Sequence, residues 1–279
     1  MTRTTARRVK LTICYTLVAL LCFIFFIPFF WMIRSALMDH AQLFRFPVQI
    51  FPNPIMWSNI PYALRSQPFA MFFRNTIFLV VVNCAGVVIT SSMAGYAFSR
   101  LQWRGKKILF YCLLSTMMIP GFITLIPTFL IWSNLGLVNT YMPLILPSWL
   151  GGNAFTVFLS RQFFYTIPND LDEAALIDGA NQWKIFWAIL MPLLKPVLAV
   201  MAIFTFMWTW NDLLNPLIYL RDRNLHTLSL ALANFRGPYS GRWDFLMAAS
   251  AIVTLPMILV FFLFQRYFIE GVTLTGIKG

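Results

Sequence analysis

Charged residues are scarce in this sequence of 279 residues, of which only 11% are Asp, Glu, Lys or Arg. A soluble domain typically contains about 25%, so too few charges are available here to give a soluble fold of this length a polar surface. Four stretches contain no charge at all: residues 11–33, 75–99, 108–160 and 245–265. Each is at least as long as the ~20 apolar residues that a helix needs to cross a bilayer. The sequence therefore excludes a soluble protein and predicts an all-α membrane protein.

Acidic residues, histidines and cysteines are also few, at nine, two and four respectively. The cysteines lie within apolar runs without metal-ligand spacing, which favours buried apolar residues over disulfides or a metal site. The acids are scattered and His40 and His226 are isolated, so the cluster that an integral-membrane enzyme needs is lacking. We predict a non-catalytic chain that binds no metal or cofactor. The net charge of +12 does not indicate nucleic-acid binding, because the basic residues stand at the ends of apolar runs.

An energy source within the chain is missing as well. No GxxxxGK[ST] phosphate-binding sequence occurs, so any ATP hydrolysis must belong to another chain. The alternative function, a self-sufficient secondary transporter or channel, predicts inverted repeats, broken helices and charges within the membrane. No internal repeat is found, and the apolar stretches are almost uncharged at their centres. The sequence thus favours a transport subunit that depends on a separate ATPase.

We predict a single domain over residues 1–279 with six membrane-spanning helices. Because no single helix needs ~50 residues to cross the bilayer, the stretch 108–160 is divided at the turn-forming sequence 134–139. The first span is predicted to remain uncleaved, because its apolar run is too long for a signal peptide and no A-x-A site follows. The approximate bounds of the six spans are 11–35, 74–98, 108–133, 141–163, 194–217 and 245–268.

The distribution of Lys and Arg predicts that both termini are cytoplasmic. With that orientation, thirteen basic residues lie on the inner side of the membrane and eight on the outer side. The short inner loop 100–107 carries four of them, whereas the outer hairpin 134–141 carries none. Short loops have the most influence on orientation, so the polar segment between spans four and five is also predicted to be cytoplasmic.

This segment, residues 167–192, is too polar to span a membrane and too regularly patterned for a slack loop. Asn169 is a suitable N-cap for a first short helix, and Gly179 is a suitable stop. A second helical pattern follows, in which Trp183, Phe186, Trp187 and Leu190 share one face. Pro192 is then expected to break or kink the chain where span five begins.

The first helix of this segment has the character of a docking surface. Leu171, Ala174, Ala175 and Asp178 follow at helical spacing and are predicted to share one face. The two alanines give a low relief that allows the backbone of another protein to approach closely. Glu173 and Asp178 add negative charge, which a basic groove can pair with. They are five residues apart and lack a nucleophile or metal ligand nearby, so a catalytic carboxylate pair is not indicated.

The same segment resembles the EAA loop of ABC importer permeases. The matching residues are Glu173-Ala174-Ala175, then three residues, Gly179, nine residues, and Ile189-x-x-Pro192, with Asp178-Gly179-Ala180 in between. This pattern covers twenty residues and is specific. Met191 stands where the family usually has Leu, which conserves volume and character.

Further motifs resemble the carbohydrate-uptake branch of that family, and in particular the shorter, six-span permease of maltose-type systems. They are Asn75-Thr76, the sequence from Ala94 to Arg100, Trp210-Asn211-Asp212 and the ending 265–279. In that ending, Leu274 and Thr275 replace the usual Ala and Gly. Similarity of this kind extends from about residue 15 to the end of the chain.

The resemblance implies a type I ABC importer permease fold in the bacterial inner membrane, with the EAA loop as the coupling element between spans four and five. It implies as partners a second, non-identical permease subunit, two cytosolic ATPase subunits that use ATP and Mg, and an extracytoplasmic solute-binding protein. The solute is then a sugar, an oligosaccharide or a related polyol. The residues expected to dock the ATPase are Glu173, Ala174, Ala175, Asp178, Gly179, Ala180, Trp183 and Phe186.

Four residues are candidates for the translocation path. Asn83 lies in the middle of span two, where it either binds a sugar hydroxyl or joins two helices, and helix packing is favoured. Trp208 suits stacking on a sugar ring and an interfacial aromatic belt equally. Asn211 and Asp212 lie late in span five. For Asp212, capping of a helix end or pairing with Arg221 or Arg223 is favoured over solute binding.

Overall fold

The computed structural model describes residues 3–236 and 241–276, with side chains placed at residue 7 and over 10–236 and 241–266. In that part of the chain the regular elements are helices, and no strand occurs. The ending 265–279, which carried part of the family resemblance, therefore lies largely outside the described side chains. The helices are α1 Arg3–Ala36, α2 His40–Leu43, α3 Asn59–Arg65, α4 Phe69–Ser99, α5 Lys106–Thr116, α6 Gly121–Asn134, α7 Met142–Trp149, α8 Ala154–Phe164, α9 Asp170–Ile177, α10 Gln182–Lys184, a π-helix Ile185–Leu190, α11 Met191–Leu193, α12 Lys195–Asn211, α13 Leu214–Tyr219, a 3-10 turn Arg223–Leu225, α14 Leu228–Ala233 and α15 Trp243–Gly276.

Four helical segments are long and apolar enough to cross a membrane: Lys10–Ala36, Phe69–Ser99, Met142–Phe164 and Trp243–Arg266. They confirm a helical membrane protein and correspond to predicted spans one, two, four and six. Two bent pairs of helices meet the same conditions, which raises the number to six when each pair counts as one span.

The third predicted span, 108–133, is not one straight helix. Helices α5 and α6 meet at an angle of 103° across a break of four residues, 117–120. Pro120 lacks a backbone N–H and disfavours the helical conformation of the residue before it, so it ends α5 and precedes the start of α6. The apolar stretch is long enough to cross a membrane, but it changes direction within its length.

The fifth predicted span, 194–217, is also wrong in its extent. Residues Gln182–Leu193 form a helical segment that is bent by 78° against α12, so the break falls at Leu194 rather than at Pro192. Helix α12 ends at Asn211 because Asp212 adopts an extended backbone conformation, and α13 is a separate short helix.

Span four contains an interruption between α7 and α8. Gly151 and Gly152 have positive φ angles of 114° and 68°, a region that favours glycine. A Cβ at residue 152 would lie 2.2 Å from the Ser91 hydroxyl oxygen of α4. The glycine pair therefore interrupts the helix and allows a close contact between α4 and the start of α8.

The described residues fall into two compact units, and the single-domain assignment stays a prediction. The first unit comprises the chain up to Pro68 together with Leu232–Leu255. Within it, the side-chain amide of Asn59 donates to the carbonyl oxygens of Ala36 and Met38 at 3.0 and 2.7 Å. These bonds fix the start of α3 to the end of α1.

The second unit comprises Phe69–Ala231 together with the chain from Pro256 onward. Its central element is α4, which packs against α7, α8 and α12. Small residues allow the close approach: a Cβ at Gly86 would lie 2.8 Å from the indole of Trp149 on α7, and one at Gly95 would lie 2.5 Å from the hydroxyl oxygen of Ser160 on α8. This packing brings the end of α4 next to the polar segment after α8.

Candidate functional site

The polar segment between α8 and α12 contains the predicted short helix α9, which begins at Asp170 and ends at Ile177. Gly179 has a φ of 79°, and its N–H donates to Leu176 O at 3.0 Å while the N–H of Ala180 donates to Ala175 O at 2.9 Å. These two bonds form a Schellman cap, which satisfies the last carbonyls of the helix. The predicted stop at Gly179 is therefore confirmed.

An apolar cluster holds this segment against the ends of α4 and α8. Tyr96 of α4 and Phe164 of α8 pack against Ala175, Ala180 and the π-helical residues, and the rings of Tyr96 and Phe164 lie 5.8 Å apart. The other buried members of the cluster are Ile185, Phe186, Leu190 and Leu194. Because buried contacts of this kind leave little freedom, α9 moves together with the helix ends that it contacts.

The faces of the two short helices differ from the predicted ones. Ala175 and Phe186, expected on the docking surface, are 6% and 1% exposed and form part of the apolar cluster. Leu190 is also buried, whereas Trp183 and Trp187, predicted to share its face, are exposed. The π-helical geometry of this stretch changes the residue spacing, so a face assigned with a period of 3.6 residues does not hold.

The outward surface of the segment combines acidic, small and apolar side chains. Five of the predicted docking residues are exposed: Glu173, Ala174, Asp178, Gly179 and Trp183. Ala180, which was also predicted to dock, is buried. Ile177 was not predicted to take part, yet it is 87% exposed at the end of α9. Ile177 is not isolated, because Leu176 and Trp183 of the same segment are exposed as well, and several exposed apolar residues together are a feature of interaction surfaces. We define the docking surface as Glu173, Ala174, Ile177, Asp178 and Trp183.

Arg100, directly after α4, joins that helix to the segment 167–192, which carries the docking surface and which we call the docking segment. Its guanidinium donates to the carbonyl oxygens of Phe164 and Ile167 at 2.8 and 2.5 Å and to the side-chain oxygen of Asn169. It also lies 3.4 Å from a carboxylate oxygen of Asp172. Asn169 precedes α9 as predicted, but its side chain makes no cap bond to the helix and accepts from Arg100 instead. The sequence showed Arg100 as a basic residue at the end of a span and as the last residue of the motif from Ala94 to Arg100, but it did not show these contacts.

Asp172 provides a test of the electrostatics in this region. Burial raises the pKa of Asp172, and the charge of Arg100 lowers it by a smaller amount. The folded protein thus binds the carboxyl proton of Asp172 more tightly than the unfolded chain does. Stability from this group is fully present below the unfolded pKa and is lost as the pH rises through the folded pKa.

We therefore expect the wild-type protein to lose stability relative to an Asp172→Asn variant as the pH rises from ~3.5 to ~7, a range that includes the ordinary pKa of a carboxyl group and extends above it. The difference between their thermal unfolding midpoints at each pH isolates this group, because all other titrating groups are shared. A wild type that instead gains stability relative to the variant would show that the pairing with Arg100 outweighs burial.

A second feature of the same unit is a cavity of about 720 Å³ beside α4. Three of the four residues predicted on the translocation path, Asn83, Trp208 and Asp212, line this cavity. Asn211 is not among the lining residues; it is exposed, and its side chain donates to the carbonyl oxygen of Met207 at 2.7 Å. Residues far apart in the sequence thus meet at one site.

The contacts of Asp212 agree with the favoured capping role. One carboxylate oxygen accepts from the backbone N–H of Asn215 at 3.2 Å, and the other accepts from the side chain of Asn215 at 2.9 Å. These bonds hold the start of α13, which follows the end of α12. The same carboxylate stands at the cavity wall, so capping does not remove it from the site.

Asn83 differs from the helix-packing role that was favoured for it. It is 5% exposed, and its side-chain amide makes no hydrogen bond within the described residues. Its oxygen atom is buried without a partner. The hydrogen bond between helices that would explain a buried Asn is therefore not formed in the part of the chain that the structure describes.

Comparisons with known proteins agree with the described fold. The family described as "Binding-protein-dependent transport system inner membrane component" matches residues 86–273. The arabinooligosaccharides transport system permease protein AraQ of Halalkalibacterium halodurans is 34% identical over 264 residues, which cover 94% of each chain. The lactose transport system permease protein LacG of Rhizobium radiobacter is 30% identical over 271 residues, covering 97% of this chain and 98% of the relative.

A third relative and a solved structure extend the comparison. The sn-glycerol-3-phosphate transport system permease protein UgpE of Yersinia pestis is 30% identical over 269 residues, which cover 92% of this chain and 94% of the relative. A crystal structure of a bacterial ABC transporter involved in the import of the acidic polysaccharide alginate contains a chain that superposes with a TM-score of 0.83. Its identity is 23%, and the match covers 96% of this chain and 99% of that one. Since the family match includes more than half of the sequence and these relatives align along nearly all of it, this chain belongs to the binding-protein-dependent transport system inner membrane components, the permease subunits of ABC importers.

Proposed function

We propose that this permease subunit transmits the motion of a cytosolic ATPase to a pathway for a sugar, an oligosaccharide or a related polyol. The chain itself does no covalent chemistry, and a partner ATPase uses ATP and Mg. The expected mechanism is alternating access, in which nucleotide on one side and a loaded binding protein on the other bias the equilibrium between two conformations.

The exposed docking surface on α9, above a rigid apolar base, is the observation that supports this role most strongly. Its acidic and apolar side chains suit a partner groove with basic and apolar walls. The base consists of the apolar cluster and the bonds of Arg100, so a force on α9 reaches the ends of α4 and α8 directly. A loop that merely connected two spans would not need such an anchor.

The partners and the orientation follow from the family and from the charge distribution. We infer a second, non-identical permease subunit, two cytosolic ATPase subunits and an extracytoplasmic solute-binding protein. We infer that the docking surface faces the ATPases, so that this surface and both termini lie on the cytoplasmic side of the bacterial inner membrane. The excess of basic residues in loop 100–107 supports the same orientation.

The proposed solute class rests on relatives that share about a third of the sequence. Their names include arabinooligosaccharides, lactose and sn-glycerol 3-phosphate as transported solutes. Each of these compounds carries at least two hydroxyl groups. We propose that this chain likewise serves a polyhydroxylated solute.

The double substitution Glu173→Lys, Ala174→Arg tests the docking role. It reverses a charge and adds a long side chain to a low-relief surface, and both residues are exposed, so the fold should persist. We expect the chain, co-expressed with the partner permease and ATPase of its importer, to retain the second permease but to lose most of the ATPase. The measurement is the amount of ATPase that co-purifies and the ATP hydrolysis per complex.

A matched control carries Arg221→Glu, a charge reversal at an exposed residue on the side predicted to be extracytoplasmic. It should retain the ATPase at the wild-type level. Solute uptake by the purified chain alone and without ATP would contradict the proposal and favour a self-sufficient transporter. The bent helix pairs are a feature that such transporters share, so this outcome is a meaningful alternative.

A further inference from the structure

The cavity beside α4 has the size and composition of a ligand site. Its volume of about 720 Å³ falls within the roughly 300–1,000 Å³ of typical ligand pockets. Most of its wall is apolar, and a few polar groups converge on it from different helices. A cavity with polar groups in its wall holds a hydrogen-bonding occupant, whereas a purely apolar cavity can stay empty.

Asn83 supplies the first polar group without a partner. Its amide lies in the middle of the α4 span, is nearly fully buried, and forms no hydrogen bond with any described residue. A buried polar group left in this state costs about 1–3 kcal/mol, so an external partner is needed to offset the cost. The cavity that Asn83 lines is the place where such a partner can stand.

Trp132 of α6 supplies the second. Its indole Nε1–H is buried and has no acceptor among the described residues, and the residue lines the same cavity. Asn83 and Trp132 thus each bring a buried polar atom without a partner among the described residues to the wall of one cavity, and a rotation of either side chain would turn that atom toward a bound solute. A sugar hydroxyl, which donates and accepts at once, matches these groups.

Trp208 and Asp212 complete the chemistry. The indole of Trp208 is 79% exposed at the cavity wall and presents a flat apolar face, which suits the C–H face of a sugar ring. Asp212 retains acceptor capacity beyond its two bonds to Asn215, because a carboxylate has about four lone-pair sites.

The charge of the lining indicates which solutes are disfavoured. Among the described residues that line the cavity, Asp212 is the only charged one, and none is Lys or Arg. A phosphate or a uronate would lie in an apolar site without a compensating cation and near a carboxylate, which is unfavourable. Neutral hydroxyl groups meet no such penalty.

We propose that this cavity is a solute subsite contributed by this subunit itself, in which Asn83, Trp132, Trp208 and Asp212 bind a neutral polyhydroxylated ring. The inference rests on the proposed transport function and adds to it the location of the contact and the exclusion of anionic solutes. It separates this chain from its relatives named for sn-glycerol 3-phosphate transport.

The test uses the whole importer, in which this chain is reconstituted in liposomes with its partner permease, ATPase and binding protein. The probes are radiolabelled lactose and arabinotriose as neutral solutes, and sn-glycerol 3-phosphate and a galacturonate trimer as anionic ones. We expect ATP-dependent uptake of at least one neutral probe and at least tenfold less uptake of both anionic ones. Uptake of an anionic probe at a similar rate, or of no neutral probe, would overturn the inference.

The variants locate the contact. Asn83→Leu removes both hydrogen-bonding functions at similar volume, and we expect it to lower uptake of the neutral probe at least tenfold at low solute concentration. Asn83→Ser keeps a hydroxyl and should restore part of that loss. The control Val81→Leu changes an exposed residue of the same helix and should leave uptake unchanged.

Co-purification of the ATPase and the unfolding midpoint separate this inference from the proposed function. If Asn83 only packs two helices, uptake by Asn83→Leu will stay at the wild-type level, or it will fall together with a lower unfolding midpoint and Asn83→Ser will not restore it; either result overturns the subsite. If the wild type fails to bind an ATPase at all, the proposed function itself is wrong.

Discussion

Replacing Arg100 by alanine is expected to detach the docking segment from the end of α4 and to abolish productive coupling to the ATPase. The Arg100 side chain is only 6% exposed and makes four contacts: one with the carbonyl oxygen of Phe164 at the end of α8, and three with the docking segment, namely the carbonyl oxygen of Ile167, the side chain of Asn169 and the carboxylate of Asp172. Removal of one partner from a buried ionic network typically costs about 3–5 kcal/mol. We expect the lower end here, because Asp172 keeps 17% of its side chain exposed and can be hydrated.

The measurement is limited proteolysis of the segment 165–181 together with ATPase co-purification. We expect cleavage to become at least tenfold faster in Arg100→Ala and the bound ATPase to fall in proportion. Arg100→Lys should rescue little, because an ammonium group is a single point of charge and cannot reproduce the planar fork of a guanidinium. Arg104→Ala is the matched control: it removes a basic residue from the same loop, but that residue is exposed. Equal effects of the two alanine variants would show that net charge matters and the geometry of Arg100 does not.

Arg100 shows why part of this site could not be predicted from the sequence. Its position after an apolar run indicated a charge at the membrane boundary, and the motif that it closes indicated a family resemblance, but neither indicated its contacts. Its role depends on carbonyl groups more than sixty residues away, which become neighbours only when α4 and α8 pack together. By contrast, the end of α9 was predictable, because the glycine at position 179 supplies its positive φ through local chemistry alone.

The two alanines of the EAA sequence illustrate the same limit. Ala174 and Ala175 have identical chemistry, yet the first is exposed and the second is 6% exposed against the apolar cluster. Helical periodicity assigns residues to a face, but the neighbouring helices decide which face is covered. Here Tyr96 of α4 and Phe164 of α8 cover the face that includes Ala175 and leave Ala174 exposed.

The sequence predicted which apolar stretches are long enough to cross the membrane, but it did not predict where two of them bend. Hydrophobic length fixes whether a segment can cross a bilayer, and it does not encode direction. Pro120 was the local signal for the 103° bend between α5 and α6. The cavity was the least predictable feature: Asn83 and Asp212 were identified as polar residues in apolar surroundings, but their shared site requires α4 and α12 to lie side by side.

Replacing Gly95 by valine is expected to force α4 and α8 apart and to destabilise the whole membrane unit. A Cβ at this position would lie 2.5 and 2.7 Å from the side-chain oxygen and Cβ of Ser160, and 2.9 Å from the backbone nitrogen of Arg161. Part of this obstacle is backbone, so a rotamer change cannot remove the clash. Overpacking of a close-packed core costs typically about 1–3 kcal/mol, whereas the better helix propensity of valine over glycine returns only a few tenths.

The thermal unfolding midpoint of the purified protein, followed by tryptophan fluorescence, measures this effect, and we expect a decrease on the order of 5 °C. Gly121→Val is the matched control, since a Cβ at Gly121 meets nothing within 4 Å and its φ is not positive. Because Gly95 lies one turn before Ser99 and Arg100, a separation of α4 from α8 also moves Arg100 away from the carbonyl oxygens that it binds. Gly95→Val should therefore accelerate proteolysis of the docking segment as Arg100→Ala does, whereas an unchanged midpoint and unchanged proteolysis would show that the close contact between α4 and α8 does not hold the segment in place.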